Sequence, residues 1–268
     1  MNPLFRSSEP HFVFREVQTA DELLELFRLR YQTYRHSRLR ELCCENDEGI
    51  DVDTFDSRSR HFGLWQHDAT RERLTGGIRV VTTHATGVDK LMNELAGHSL
   101  LIGRVLKKRP SAPLPLLTYE AVATKVSGLF GAWRDEGEQI VEVTRFCLAH
   151  EFRGTGLVQL LVEATLSIGF YCHWCVNRAL ISCSNSQSSY YSRYGFQVIS
   201  DALGHRWDVH GVPGCTLAAS PADVPIDKRP ALRKMARSFE ITGTIQFPAE
   251  LLQGSLPAAH RVCVEAVA

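Results

Sequence analysis

The stretch EFRGTGLVQLLVEATLSIGF, residues 151–170, begins with a glycine-containing turn and continues directly into an apolar helical pattern. The apolar positions after the turn recur at helical spacing, at Leu157, Leu160, Leu161, Ala164 and Ile168. A helix N-terminus has unpaired N–H groups and partial positive charge, and glycines let a ligand approach those amides. The stretch therefore predicts a helix that begins either in an ordinary turn or in an anion site.

The segments on both sides of this helix are rich in β-forming residues. Residues 140–148 (IVEVTRFCL) precede the turn, and residues 179–183 (ALISC) follow the helix. A strand, a crossover helix and a second strand imply two parallel strands with a right-handed connection. Further strands are predicted at residues 12–17, 61–66, 75–82 and 196–199, and further helices after Thr19 or Asp21 and near residues 88–97, 118–133, 186–194 and 228–237.

Composition restricts the class of protein. The 268 residues are 44% hydrophobic and 22% charged, which indicates a folded domain with a large core. Thirty basic residues balance thirty acidic ones, so no overall positive field attracts nucleic acid. No apolar stretch is long enough for a transmembrane helix, and the first residues lack the apolar core of a secretory signal, so we expect a cytoplasmic protein.

The eight cysteines do not predict a metal site. A single C-x-x-C motif occurs at residues 172–175, but no second pair of cysteines or histidines follows at zinc-binding spacing. Most of the cysteines lie in apolar segments, where a reduced thiol packs as a small hydrophobic group. We expect core thiols and no bound metal.

The glycine turn and a later motif together resemble the GNAT acyltransferase superfamily. The later motif runs from Asn185 through Tyr191 to Gly195 and Phe196. The resemblance implies an α/β fold whose mixed central sheet splays open between two parallel strands and is flanked by helices. Here those strands are residues 140–149 and 179–183, and the pantetheine arm of an acyl thioester would lie between them. We expect one such domain over residues 1–214 and a C-terminal extension of unknown role over residues 215–268.

Four further elements resemble one branch of that superfamily. This branch includes the acyl-homoserine-lactone autoinducer synthases, the long-chain N-acyl amino acid synthases and the exosortase-associated acyltransferases. The matching residues are Arg30 and Tyr34, then Asp51, Asp53, Phe55 and Asp56, then Arg79, and finally Glu142, Thr144, Arg145 and Phe146. The resemblance extends over about residues 12–200, although Asp51 stands where the branch usually has glutamate.

Chemistry assigns provisional roles to these residues. An amine that attacks a thioester must lose a proton to a base, for which Glu142 is the candidate. Backbone N–H groups on a splayed strand can stabilise the oxyanion, near Cys147 and Leu148. Tyr191 either protonates the leaving thiolate or only packs beneath the thioester. The residues expected to bind the acceptor are Arg30, Tyr34, Asp53, Asp56, Arg79, Arg145 and Phe146, whose arginines suit an α-carboxylate.

Strand alternation complicates this set. Glu142, Thr144 and Phe146 fall on one face of a regular strand and Arg145 on the other. Glu142 and Arg145 can both face a substrate only if the strand contains a bulge. The alternative interpretation of Arg30, Asp53, Asp56 and Arg79 is an ion-pair network that orders a long loop.

The turn before the helix predicts the acyl donor. The residues expected to bind the donor are Cys147, Leu148, Arg153, Gly154, Thr155, Gly156 and Asn185. Glu151 would repel the pyrophosphate of coenzyme A, so the phosphopantetheine arm of an acyl carrier protein, with one phosphodiester, fits better. Basic residues at 107–109 and 228–237 are candidates for docking that acidic carrier protein.

The sequence thus predicts an N-acyltransferase that transfers a fatty acyl group from acyl carrier protein to the amine of an amino acid, without a tightly bound cofactor. Two alternatives stay open. One is an autoinducer synthase that makes acyl-homoserine lactones from S-adenosylmethionine. The other is a catalytically silent module that binds acyl carrier protein.

Overall fold

The protein is described by a computed structural model that covers residues 11–37, 40, 43, 45–68, 71–83, 89–201 and 214–248. The strands are β1 (His11–Glu16), β2 (Ser59–His67), β3 (Glu72–Thr82), β4 (Ile140–Leu148), β5 (Arg178–Ser184), β6 (Gln197–Asp201), β7 (Gly214–Ala219) and β8 (Thr244–Pro248). The α-helices are α1 (Ala20–Arg35), α2 (Lys90–Ala96), α3 (Leu100–Leu106), α4 (Glu120–Asp135), α5 (Leu157–Tyr171), α6 (Asn185–Ser192) and α7 (Arg229–Thr242).

One eight-stranded sheet, in the order β6-β7-β5-β4-β3-β2-β1-β8, organises the molecule. The pair β4–β5 is parallel and the other described pairs are antiparallel. Helices α5 and α7 belong to the largest apolar cluster, on one face, while α1 to α3 and α4 pack in two clusters with side chains of the other face. This is the mixed α/β sheet with flanking helices that the sequence predicts.

Helix α5 is apolar on nearly all sides because it lies between the sheet and another helix. Eleven of its fifteen residues are buried. Its C-terminal half contacts α7, where the Cys172 thiol donates to the carbonyl of Ala236 (3.5 Å) and Ser167 Oγ lies 3.7 Å from the sulfur of Met235. No described helix is long and apolar enough to cross a membrane.

The parallel strands β4 and β5 separate halfway along their length. They pair from Ile140 opposite Arg178 to Val143 opposite Ile181, and no further. Beyond that point β4 stays paired with β3 and β5 stays paired with β7. The predicted opening between the two central strands is therefore present.

A bulge lies in β4 next to this opening. Arg79 of β3 is opposite Thr144, whereas Gly77 is opposite Cys147, so β4 carries one extra residue between the two pairs. Arg145, within that interval, has a φ of 55°, a left-handed conformation that is uncommon for a residue with a side chain. The extra residue changes which side chains of β4 share a face.

The predicted boundary after residue 214 falls inside the sheet. β7 lies between β5 and β6, with Cys215 opposite Cys183, and β8 pairs with β1 at the far edge. Residues 215–248 therefore contribute an inner strand and an edge strand to the same sheet and are not an appendage. Residues 249–268 of the predicted extension lie outside the described residues.

The turn between α6 and β6 gives a stability prediction. Gly195 has a φ of +88°, and a Cβ there would lie 2.1 Å from the carbonyl oxygen of Asp223. We expect Gly195→Ala to lower the free energy of unfolding by about 3 kcal/mol or more, because both the backbone and its neighbour are strained. Urea denaturation measures the loss.

Gly137→Ala is the matched control for this turn. Gly137 also has a positive φ, +78°, but an added Cβ would meet nothing within 4 Å. It should cost only about 1 kcal/mol. Equal losses for the two variants would contradict the close approach of the Asp223 backbone.

Candidate active site

Three arginines and three aspartates form a closed ring of alternating charge. In order around the ring they are Arg30, Asp51, Arg145, Asp53, Arg79 and Asp56. Each adjacent pair is joined by a nitrogen–oxygen distance between 2.7 and 3.2 Å. The charges sum to zero, which permits such a set to be buried.

The ring joins four parts of the chain. Arg30 comes from α1, the three aspartates from the segment between α1 and β2, Arg79 from β3 and Arg145 from the bulge of β4. Burial alone would raise the pKa of Asp56, but Arg30 and Arg79 outweigh it and hold that pKa far below its usual value. His61 lies behind the ring, 3.7 Å from Asp56, and burial lowers its pKa to about 4, so it is neutral.

One edge of the ring faces a cavity. The cavity has a volume of about 240 Å³ and occupies the opening between β4 and β5. Asp53, Arg79 and Arg145 line it, whereas Arg30 and Asp56 are buried on the far side of the ring. The remaining walls are largely apolar and include Phe55, Ile78, Phe146, Val162, Leu166 and Ile181.

The bulge resolves the alternation problem of β4. Glu142, Thr144, Arg145 and Phe146 all line the cavity, although a regular strand would turn Arg145 away from the other three. The left-handed backbone at Arg145 redirects its side chain to the ring and the cavity edge. Both the candidate base and the arginine therefore face the same space.

Glu142 is a buried carboxyl group with one firm contact. It is 3% exposed, and the N–H of Leu116 donates to its Oε2 at 2.8 Å. Burial raises the pKa of Glu142 to about 8, despite the opposing effects of that hydrogen bond and of Arg79. A carboxyl with this pKa exchanges a proton close to neutral pH, as a general base must.

Tyr191 lines the cavity from α6. Its ring packs edge-to-face against Tyr190 and Phe196, with centroid distances of 5.4 and 6.0 Å. Burial raises the pKa of Tyr191 well above its usual value, so the hydroxyl keeps its proton at neutral pH. The position is compatible with both packing and proton donation.

Helix α1 donates hydrogen bonds to the end of β4, where β5 no longer pairs with that strand. Thr33 Oγ1 donates to the carbonyl of Leu148 and Tyr34 OH to the carbonyl of Phe146, both at 3.2 Å. The amide of Ala149 donates to Thr75 of β3 at 2.8 Å, so by alternation the backbone of Cys147 also points to β3. By the same alternation the amide of Leu148 points away from β3, toward the opening.

The structure places the predicted donor residues in three different environments. The side chain of Cys147 is fully buried in the cluster around α1, and burial raises its pKa to about 12. Leu148 packs in the cluster around α5. Asn185 is exposed and is not among the described residues that line the cavity. Gln187 does line the cavity, although it was not predicted from the sequence.

The turn before α5 carries less negative charge than the sequence indicates. Glu151 forms a close ion pair with Arg73 of β3, which compensates its carboxylate. Gly154 has a φ of +79°, and Thr155 and Gly156 follow it directly into α5. Arg153 remains beside the turn, with its Nη2 3.5 Å from the carbonyl of Thr33.

The ring gives a stability prediction. Asp56→Asn leaves two buried guanidinium groups, those of Arg30 and Arg79, without a full counter-charge, so we expect a loss of about 3–5 kcal/mol. Asp68→Asn is the control, since Asp68 pairs with an exposed arginine, Arg71, at 3.5 Å. It should cost less than about 1 kcal/mol. Chemical denaturation of both variants tests the difference, and similar losses would contradict a buried ring.

Two family models match the chain. A model described as N-acyl amino acid synthase FeeM matches residues 121–219, which include β4, α5, β5, α6 and β7. A model described as acetyltransferase (GNAT) domain matches residues 29–113, which include the ring residues from Arg30 to Arg79. No curated protein matches the chain significantly.

Solved structures share the fold at low sequence identity. FeeM, an N-acyl amino acid synthase from uncultured soil microbes, is 17% identical with a TM-score of 0.50, over 88% of this chain and 100% of that one. BjaI, a CoA-dependent acyl-homoserine lactone synthase, is 16% identical with a TM-score of 0.47, over 85% and 90%. An acyl-CoA N-acyltransferase from Pseudomonas aeruginosa is 18% identical with a TM-score of 0.42, over 79% and 100%.

FeeM therefore shares the overall fold of this chain. The two matched family models describe acyltransferases, which indicates acyltransferase activity for this chain. The chain is an acyltransferase with the GNAT fold, similar to the N-acyl amino acid synthases.

Proposed function

We propose that the protein transfers a fatty acyl group from the phosphopantetheine thioester of an acyl carrier protein to the amine of an amino acid. The observation that carries this proposal is the cavity between β4 and β5, with Glu142 on one wall and Tyr191 on the other. A carboxyl that titrates near neutral pH and a protonated hydroxyl face one space, which suits aminolysis of a thioester.

The reaction forms a C–N bond and breaks a C–S bond. The amine attacks the thioester carbonyl, and its proton passes to ionised Glu142. The leaving thiolate takes a proton from Tyr191, and the products are an amide and a thiol. Because the amide of Leu148 points toward the opening, it is the candidate donor to the oxyanion, and the amide of Cys147 is not.

The ring edge supports an amino acid as the acceptor. Arg145 and Asp53 present a cation and an anion 3.0 Å apart at the cavity wall. A zwitterion complements this pair, with its carboxylate on the guanidinium and its amine on the carboxylate side. Tyr34 and Phe146 form the adjoining wall, while Arg30 and Asp56 hold the pair in place from behind.

The choice of carrier protein over coenzyme A rests on the turn before α5. Arg153 is the cation at this turn, and it matches one phosphodiester better than a pyrophosphate. The ion pair between Glu151 and Arg73 removes part of the repulsion expected for coenzyme A, so both donors belong in the assay.

The contacts of α7 favour one of the two predicted docking surfaces over the other. The basic helix α7 contacts α5 at Ser167 and Cys172, far along the helix from the turn. The basic residues Lys107, Lys108 and Arg109 instead precede Pro115, Thr118 and Tyr119, which line the cavity. This placement favours residues 107–109 as the surface for the acidic carrier protein.

Product analysis by mass spectrometry tests the proposed reaction. Purified protein is incubated with pooled amino acids and either acyl carrier protein or coenzyme A that carries a fatty acyl group. We expect a product with the mass of the acid plus an amino acid minus water, formed faster from the carrier protein. Faster reaction with acyl-coenzyme A would contradict the donor assignment. In a parallel assay with S-adenosylmethionine, release of methylthioadenosine would instead establish lactone synthesis.

The raised pKa of Glu142 gives a prediction on pH. Below about pH 8 its carboxyl is mainly neutral and cannot accept a proton, so the wild-type kcat should rise as the pH increases through 8. Glu142→Gln keeps an oxygen for the N–H of Leu116 but removes the base. We expect kcat to fall by a factor of about 10²–10⁴, with loss of the inflection near pH 8. An unchanged pH profile in this variant would show that another group is the base.

A further inference from the structure

Residues 110–119 form a proline-rich strap along one wall of the cavity. Three of these ten residues are proline. The side chains of Leu114 and Leu116 are fully buried in the apolar cluster around α4, so they anchor the strap to the sheet. The strap residues that line the cavity are Pro115, Thr118 and Tyr119.

The strap supplies the hydrogen bond to Glu142. Residues Pro115–Thr118 form a short 3₁₀ turn, in which Thr118 Oγ1 donates to the carbonyl of Pro115 at 2.6 Å. Pro115 has no N–H, so the first amide of the turn is that of Leu116, and it has no acceptor within the turn. This amide donates to Oε2 of Glu142 at 2.8 Å. The position of the strap therefore sets this contact on the proposed base.

Arg58 holds the strap from the side of the charged ring. It lies two residues after Asp56 in the chain. Its Nη2 donates to the carbonyl of Ala112 at 2.9 Å and also to the carbonyl of Pro113. Arg58 thus connects the segment that carries the ring aspartates to the strap, three residues before Leu116.

The ring does not account for an arginine at position 58. Burial and the charge of Arg79 both lower the pKa of Arg58, which shows that two cations are close together, whereas Glu142 acts in the opposite direction. The hydrogen bonds of its guanidinium go to the strap carbonyls. Arg58 is also not among the described residues that line the cavity. Its contacts therefore indicate a task that it performs through the strap.

We propose that Arg58 is a positioning residue: by holding the carbonyls of residues 112 and 113, it fixes the N–H of Leu116 on the carboxyl of Glu142. The inference rests on the proposed function, in which Glu142 is the base. The strap transmits the contact because proline fixes φ at residues 113 and 115.

Arg58→Ala tests this role in a titration of Glu142. Leu114 and Leu116 stay in the core, so Glu142 stays buried in the variant. Loss of a cation and a looser N–H both disfavour the ionised carboxyl, so the pKa of Glu142 should rise by about one unit. Carbon-13 NMR of protein labelled at the glutamate carboxyls measures the midpoint, and Glu142→Gln assigns the signal.

The amide proton of Leu116 reports on the contact itself. In the wild type its chemical shift should follow the ionisation of Glu142, because a hydrogen bond to a carboxylate is stronger than one to a neutral carboxyl. In Arg58→Ala the response should be smaller. The other groups that act on Glu142 are the same in both proteins, namely Arg79 on β3, Asp53 of the ring, Arg145 on β4 and Tyr119 of the strap.

The kcat of Arg58→Ala should follow the same shift. At pH 7, below both midpoints, a rise of one unit lowers the ionised fraction of Glu142, and with it kcat, about tenfold. At a pH above both midpoints, kcat should approach the wild-type value. A merely structural role would lower kcat by the same factor at every pH.

Arg229→Ala is the matched control. Arg229, at the start of α7, also holds two backbone carbonyls of a loop, those of Val224 and Ala222, both at 2.8 Å. It is not among the described residues that line the cavity. Its loss should lower the thermal unfolding midpoint about as much as Arg58→Ala does, but leave the titration of Glu142 unchanged.

Arg58→Gln, which removes the charge and shortens the side chain, carries the same expectation if the alanine variant does not fold. An unchanged or lower midpoint for Glu142, a full response of the Leu116 amide, or an equal shift in Arg229→Ala would overturn the inference. A raised midpoint with a weaker amide response, in a protein that acylates no amino acid, would support the role of Arg58 and reject the proposed reaction. The two failures are therefore distinguishable.

Discussion

The closed ring of three arginines and three aspartates is the interaction on which the site depends. Removing ions from water is costly, and the ring recovers that cost only because every charge has two opposite neighbours at hydrogen-bond distance. Its members come from α1, the segment after it, β3 and β4. The geometry of the cavity edge is therefore tied to the packing of α1 on the sheet, and Arg145 can keep its left-handed backbone because the ring holds its side chain.

The opening between β4 and β5 follows from how backbone groups are satisfied. Parallel strands that separate leave amides and carbonyls without partners, which is unfavourable unless other groups replace them. The hydroxyl groups of Thr33 and Tyr34 on α1 donate hydrogen bonds to the carbonyls of Leu148 and Phe146, respectively. Side chains thus satisfy the acceptors, while the amide of Leu148 stays available to a ligand. The same helix contributes Arg30 to the ring, so one element supports both the ring and the end of β4.

The sequence by itself determined the central unit of the fold. Apolar spacing after the glycine turn defines α5, and the β-rich segments on each side define the parallel pair. These signals are local, so they are visible without a structure. The motif residues Arg30, Asp53, Asp56 and Arg79 could be selected as one set because the resemblance places them together.

Contacts between residues distant in the chain determine the features that local sequence patterns did not predict. β7 enters the sheet between β5 and β6, so a boundary after residue 214 looked reasonable until strand pairing was known. The bulge that brings Arg145 and Glu142 to one cavity depends on the register between β3 and β4, which no local pattern encodes. Gln187 could have been suspected from a serine three residues before a glutamine, but its place in the cavity depends on where β5 ends. The sequence determined the elements and the chemical groups, and the tertiary structure decided which groups face each other, because burial and strand register arise from contacts between distant residues.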